Sequence, residues 1–141
     1  MKKILYYFLL VFIFNSCKTT YTNINGHWTS TSVVYKNQVL SPVVSGRVYY
    51  NYNFTINLKY NYCSLPIQWD EESNNYYSSK CFIIDKKNSV LKIIDAQDSR
   101  FNGEYDYSVI QRDTFMMGFE TAYYLLELKS ENMVIKAKRY R

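Results

Sequence analysis

Alternation of apolar and polar residues is the most regular pattern in this chain, and it is unbroken between Arg47 and Cys63. The odd positions there are mostly Asn, Thr, Lys and Arg. This period of two predicts β-strand with one face on a core and one in water. A straight strand of that length would reach roughly 55 Å, more than a small domain is wide, so we expect either one bent strand or a hairpin. The even positions, predicted to face inward, are Val48, Tyr50, Tyr52, Phe54, Ile56, Leu58, Tyr60 and Tyr62.

Shorter alternating segments continue to the end of the chain. Residues 81–85 and 90–94 flank a polar turn and predict a β-hairpin, and residues 122–129 and 133–138 predict a closing hairpin. No helical periodicity follows the first ~20 residues, and we count about seven to nine strands. The pattern therefore predicts an all-β fold, an antiparallel meander β-barrel or strongly curved sandwich of about eight strands.

An apolar stretch from Asp113 to Thr121 does not fit this alternation. It contains Phe115, Met116, Met117, Gly118 and Phe119. We interpret it as a loop that serves as a plug, a lid or a contact patch, or else as a crossover that fills the core.

The amino-terminal residues have the pattern of an export signal. Lys2 and Lys3 precede an apolar run from Ile4 to Phe14, which is shorter than the ~20 residues of a membrane-spanning helix. The following Ser16-Cys17 resembles the lipobox of bacterial lipoproteins, although the two preceding positions fit it loosely. That resemblance implies a signal peptide over residues 1–16, lipidation of Cys17, a flexible tether over residues 17–24 and a folded domain over residues 25–141.

Net charge and the predicted lipid anchor limit the classes of partner that the chain could bind. The whole chain carries a formal charge of +5, and loss of the two leader lysines would lower it to about +3, too little for a nucleic-acid stripe. A lipidated chain would be held on a membrane by its acyl chains. Lys18 and Thr19, the two residues just after Cys17, are not acidic, which resembles outer-membrane sorting, with the domain facing the periplasm or the surface.

Two parts of the chain resemble the bacterial lipocalin-like lipoproteins. Gly26-His27-Trp28 before a strand is similar to the G-x-W opening of lipocalins, in which the tryptophan closes one end of the barrel. The closing hairpin, with a basic residue near its end, is similar to the last two strands of that family. The resemblance implies a lipocalin-like barrel over about residues 25–139.

Cys63 and Cys81 are the remaining cysteines if Cys17 carries lipid. An even pair in an exported chain predicts a disulfide, which would close a loop of about 18 residues and contribute ~3 kcal/mol. Two separate buried thiols are the alternative.

Catalytic and metal-binding patterns are missing from the sequence. The single histidine, His27, has no cysteine beside it, no G-x-S-x-G elbow occurs, and no phosphate-binding glycine loop is present. The acidic run Asp70-Glu71-Glu72 lacks the spacing of a calcium loop. The sequence thus predicts no metal, no cofactor and no enzymatic activity, and a carboxylate-only hydrolase using Asp70, Glu104 or Asp106 is left as a residual alternative.

Two functions remain. In the first, the barrel binds a small apolar ligand, which requires an enclosed cavity larger than about 300 Å³. In the second, the domain binds another protein, as an envelope inhibitor or accessory subunit of an outer-membrane complex. An apolar segment that stays exposed after the barrel closes would favour the second. The alternative for the inward rings is that they simply fill the core of so small a barrel. The candidate ligand-binding residues are Trp28, Tyr50, Tyr52, Phe54, Ile56, Leu58, Tyr60 and Tyr124.

Overall fold

The computed structural model describes residues 24–45, 48–50, 52–67, 77–116 and 118–140. These residues contain no helix long and apolar enough to span a membrane. They form two short 3₁₀ turns, Leu58–Tyr60 and Ser99–Phe101, and eleven strands. The strands are β1 (Gly26–Tyr35), β2 (Gln38–Ser41), β3 (Val43–Ser45), β4 (Val48–Tyr50), β5 (Asn53–Asn57), β6 (Tyr62–Ser64), β7 (Ser78–Asp85), β8 (Val90–Ile94), β9 (Gly103–Met116), β10 (Phe119–Lys129) and β11 (Met133–Tyr140).

Eight of these strands form a closed antiparallel barrel. Strands β5 to β11 follow one another in sheet order, β5 pairs with β1, and β11 pairs back onto β1 from Thr29↔Lys138 to Tyr35↔Met133. Strand β2 is an additional strand on the edge of β1, and β3 and β4 form a separate two-stranded sheet. The predicted all-β barrel of about eight strands is confirmed.

The strand beside β1 is divided into two pieces. Strand β2 pairs with β1 at Val33–Tyr35, whereas β5 pairs with the same edge at Gly26–Thr29. The β3–β4 hairpin lies between these two pieces in the chain. Since both pieces run antiparallel to β1, the chain leaves the barrel wall after β2 and rejoins it at β5.

The long alternating stretch folds back rather than bending as one strand. Strands β5 and β6 are joined by the Leu58–Tyr60 turn, after which Asn61 adopts a left-handed conformation with φ of 50°. At this turn the buried positions switch from even to odd residue numbers, so that Cys63 is buried while Tyr62 is exposed. The expected inward orientation of Tyr60 and Tyr62 is therefore wrong, because the turn interrupts the period of two.

The two predicted hairpins are present. Strands β7 and β8 pair around a turn at residues 86–89, and β10 and β11 pair around residues 130–132. The barrel core is formed by inward residues of every wall strand and the segments beside them, namely Ile24, Trp28, Val33, Phe54, Ile56, Cys63, Leu65, Cys81, Leu91, Ile93, Phe101, Tyr105, Leu126, Leu128, Met133, Ile135 and Ala137.

The predicted signal peptide, Cys17 and the acidic run at residues 70–72 lie outside the described residues. Ile24, which the sequence places in the tether, is 3% exposed, and its carbonyl accepts a hydrogen bond from Trp28 Nε1 at 2.8 Å. The packed domain therefore includes this residue, one position earlier than expected.

Candidate functional site

A cluster around Trp28 and Arg139 links the first and last strands of the barrel. The guanidinium carbon of Arg139 lies 4.4 Å from the centroid of the Trp28 ring and 5.2 Å from that of Tyr124. Arg139 also donates a hydrogen bond to the carbonyl of Asn25. Gly26, with φ of +124°, gives this arginine room, because a Cβ there would lie 2.8 Å from Arg139 Nη1. The cluster joins β1, β10 and β11, so Trp28 and Tyr124 have a structural role at the barrel closure.

The barrel interior is packed with side chains where the structure describes it. Phe54 and Ile56 are 3% and 2% exposed, and the cavity that they bound together with residues of β6, β8, β10 and β11 has a volume of about 10 Å³. This volume is about that of one water molecule and far below the several hundred Å³ of a ligand pocket. The alternative that these rings simply fill the core is the one the described interior supports.

The other candidate lining residues are not gathered around a common space. Tyr52 and Leu58 are half-buried, whereas Tyr60 is 69% exposed on the 3₁₀ turn. The side chain of Tyr50 lies outside the described residues. The predicted ligand-binding set therefore divides into core, wall and surface positions.

Cys63 and Cys81 are neighbours on adjacent strands, and both are buried free thiols. Cys63 pairs directly with Ser79, two residues before Cys81, and its Sγ lies 2.8 Å from Ser79 Oγ. The hydrogen bond between the two thiols lowers the pKa of Cys63, and the same bond with burial raises the pKa of Cys81. The disulfide between them stays a prediction.

His27 lies in β1 at the barrel surface. Its Nδ1 is 2.8 Å from Thr55 Oγ1 on the neighbouring strand β5. This is a cross-strand pair of exposed polar side chains.

The hairpin of β9 and β10 extends beyond the barrel wall. The two strands pair without interruption from Asp106↔Lys129 to Met116↔Phe119. Strand β8 pairs with β9 only as far as Asp106, and β11 pairs with β10 only from Tyr123 onward. We call residues 113–122, which lie past both neighbours, the arm. The predicted apolar loop is thus the end of a hairpin.

Large apolar side chains of the arm are left in solvent. Phe115 is 74% exposed and Phe119 is 75% exposed. The interpretation of this segment as a crossover that fills the core is therefore wrong, and a contact patch is compatible with this exposure. The sequence singled out these residues but did not predict their exposure. They are exposed because β8 and β11 end before the tip of the β9–β10 hairpin.

Further apolar side chains face outward on the strands below the arm. Ile110 on β9 is 48% exposed and Tyr140 on β11 is 51% exposed. The rings of Tyr123 and Tyr140 lie 6.0 Å apart, centroid to centroid. Exposed aromatic side chains of this kind are enriched at protein interfaces.

Comparison of the chain with protein families, curated proteins and solved structures gave no match. Function is therefore inferred from the packed interior and the exposed arm.

Proposed function

We propose that this protein is a lipid-anchored envelope lipoprotein whose barrel displays the arm to a protein partner. The observation that carries the proposal is the exposure of Phe115 and Phe119, 74% and 75%, at the end of a regularly paired hairpin. Aromatic residues are enriched at protein interfaces, where they bury large area at small entropic cost. Lipidation of Cys17, inferred from the lipobox resemblance, would hold the domain at the membrane.

The small-ligand function has less support. A carrier in this fold needs an internal cavity of ~300 Å³ or more, and the interior cavity bounded by the described residues measures about 10 Å³. The described core side chains therefore leave too little space for a ligand at this cavity. The proposal therefore takes the outside of the barrel as the functional surface.

Site-specific photocrosslinking in the host cells tests this function. The full chain would carry p-benzoylphenylalanine in place of Phe119, or, as the matched control, in place of Tyr60, an aromatic residue outside the arm that is 69% exposed. We expect one discrete adduct from position 119 and none from position 60. Equal labelling at both positions, or no adduct at position 119, would contradict the proposal.

Serine substitutions provide a second test with the same control. Phe115→Ser with Phe119→Ser should abolish the adduct formed from a crosslinker at position 123, while Tyr60→Ser should preserve it. All three side chains are largely exposed, so thermal unfolding should change little in either variant.

Native mass spectrometry addresses the carrier function, because a co-purified mass of a few hundred daltons that is lost on unfolding would support a bound ligand instead.

A further inference from the structure

We propose that the partner binds as an extended peptide strand added to the outer edge of β9, along residues 109–115. This inference rests on the proposed function and specifies how the partner is recognised. The arm's aromatic side chains would then supply contact area beside a backbone interaction. The occupant is a segment of a different protein with alternating side chains.

The hydrogen bond of Tyr107 shows which backbone groups face this edge. Its amide donates to the carbonyl of Ser89 at 2.9 Å, on the side of β9 away from β10. In an antiparallel strand the direction of the amide and carbonyl alternates, and the β9–β10 register has no bulge. The amides and carbonyls of Val109, Gln111, Asp113 and Phe115 therefore also point away from β10.

These groups have no strand partner in the part of the chain that the structure describes. The pairing of β8 with β9 ends at Val90↔Asp106, and the described backbone hydrogen bonds continue it only through Tyr107. The stretch from Val109 to Phe115 would present a ladder about 23 Å long at ~3.3 Å per residue. Addition of a strand to such an edge is a recurrent mode of peptide recognition.

Only another polypeptide supplies donors and acceptors at this spacing. A lipid surface cannot satisfy paired amides and carbonyls, so contact with a bilayer would leave them unpaired. The arm is therefore better suited to a peptide than to the membrane that the anchor would occupy.

A second copy of this chain fits the edge less well than a different protein. Two copies that pair along this edge would run antiparallel and be related by a two-fold axis normal to the sheet. Outward backbone groups of the two copies meet only when the numbers of the paired residues add to an even sum, so one residue lies opposite its own copy. Pairing centred on Arg112 or on Asp113 would oppose like charges, which destabilises a sheet. The numbers of Arg112 and Asp113 add to an odd sum, so no two-fold register along this edge gives either charge an opposite charge, whereas a different protein can supply both.

The same charges define the chemistry of the partner. Arg112 lies on the outer face of β9 and Asp113 on the opposite face, since Tyr105 of the odd set is buried. Val109 and Ile110 precede them, and Thr114 and Phe115 follow. A complementary strand would carry an acidic residue next to a basic one, with apolar residues on both sides of that pair.

Gln111→Pro provides the test. Proline removes the amide that faces the partner but no β9–β10 hydrogen bond, and proline is tolerated on edge strands in that orientation. The matched control is Gln111→Ala, which changes the side chain and keeps the amide. With the crosslinker at position 119, we expect adduct yield to fall about tenfold in Gln111→Pro and to stay unchanged in Gln111→Ala.

The outcomes separate this inference from the proposed function. Equal adduct yield in Gln111→Pro and the parent chain would overturn strand addition and leave the arm as the binding surface. No adduct in the parent chain would overturn both, and an adduct with a second copy of this chain would overturn the different-protein partner. If circular dichroism shows that Gln111→Pro is unfolded, Asp113→Pro is compared directly with Asp113→Ala, because both variants lack the carboxylate and only the proline variant lacks the amide; equal adduct yield in the two would then overturn strand addition.

Amide hydrogen exchange in the isolated protein is an independent measurement. The amides of Val109, Gln111 and Asp113 should exchange fast, and those of Ile110, Arg112 and Thr114, which face β10, should exchange slowly. Slow exchange at all six positions in the monomer would show that the edge is already covered and would overturn the inference.

Discussion

The guanidinium of Arg139 stacks on Trp28, 4.4 Å from the ring centroid, and so links the first strand of the barrel to the last. Tyr124 lies on the same guanidinium at 5.2 Å, and the carbonyl of Asn25 accepts its hydrogen bond. Barrel closure depends on the pairing of β1 with β11, and this contact adds a side-chain link where that pairing ends. The resemblance in sequence included Trp28 and a terminal basic residue, and the structure brings the two together.

Replacement of Arg139 tests how much this link stabilises the fold. We expect Arg139→Ala to lower the free energy of unfolding by about 2 kcal/mol, through loss of cation–π contacts and a charged hydrogen bond. Arg139→Lys should recover only part of it, because an ammonium does not stack as a planar guanidinium does. Urea unfolding measures both, with Lys136→Ala, an exposed cation on the same strand, as the control. Equal unfolding midpoints for Arg139→Ala and Lys136→Ala would contradict this role.

Gly26 and Arg139 should be energetically coupled. Gly26→Ala places a Cβ 2.8 Å from Arg139 Nη1 at a backbone φ of +124°, so it should cost both strain and displacement of the guanidinium. In Gly26→Ala with Arg139→Ala the displacement cost disappears, and we expect a coupling energy of about 1 kcal/mol in a double-mutant cycle.

Gly118 is the control that separates backbone strain from displacement of the Arg139 side chain. Gly118, with φ of +82°, has no atom within 4 Å of a Cβ built on it. Gly118→Ala should therefore destabilise through backbone strain alone and add independently to Arg139→Ala. Additive effects for Gly26→Ala and Arg139→Ala would mean that the arginine moves aside without cost.

Strands could be predicted from the sequence where the alternation of apolar and polar residues depends only on neighbouring positions. Residues 81–94 and 122–138 alternate around polar turns, and both fold as hairpins. The inward face of residues 47–63 was predictable at Phe54 and Ile56 but not beyond Leu58. A 3₁₀ turn reverses parity there, and no glycine or proline marks it in the sequence.

The arm was harder to foresee because its exposure is a property of several strands together. Phe115 and Phe119 have the composition of core residues, and only the positions at which β8 and β11 stop leave them outside the wall. Likewise, the Arg139–Trp28 contact joins residues at opposite ends of the domain. Local pattern does not contain such long-range information.

Asp98 should make the stability of the barrel sensitive to acid. Its carboxylate accepts a hydrogen bond from the amide of Arg100 at 3.1 Å and pairs with the Arg100 guanidinium at 2.6 Å, at the start of the Ser99–Phe101 turn. Hydrogen bonding to Arg100 lowers the pKa of Asp98. A carboxyl whose folded pKa is depressed stabilises the fold above its unfolded pKa of ~3.9, and that stabilisation is lost as the pH falls toward the folded pKa.

Asp98→Asn should therefore lower the free energy of unfolding by about 1 kcal/mol at neutral pH and remove part of its decline below pH ~4. Asp95→Asn is the control, because Asp95 pairs with Lys80 where both side chains are more than half exposed, and such pairs contribute little. Chemical unfolding at several pH values provides the measurement. Parallel pH profiles for Asp98→Asn and the parent chain would contradict the assignment.

The buried thiols of Cys63 and Cys81 should be oxidised to a disulfide when the protein is isolated from an oxidising envelope. They lie on adjacent strands with inward side chains, and a compartmental oxidant would accept the two electrons and two protons released. Unfolding without reductant followed by alkylation should leave both peptides unlabelled, whereas prior reduction should label both. Cys81→Ser is the control, because Cys63 should then be labelled without reduction. Labelling of both cysteines in the unreduced parent chain would show that the pair remains as free thiols, and the ~3 kcal/mol expected from closing the loop would then be absent from its stability.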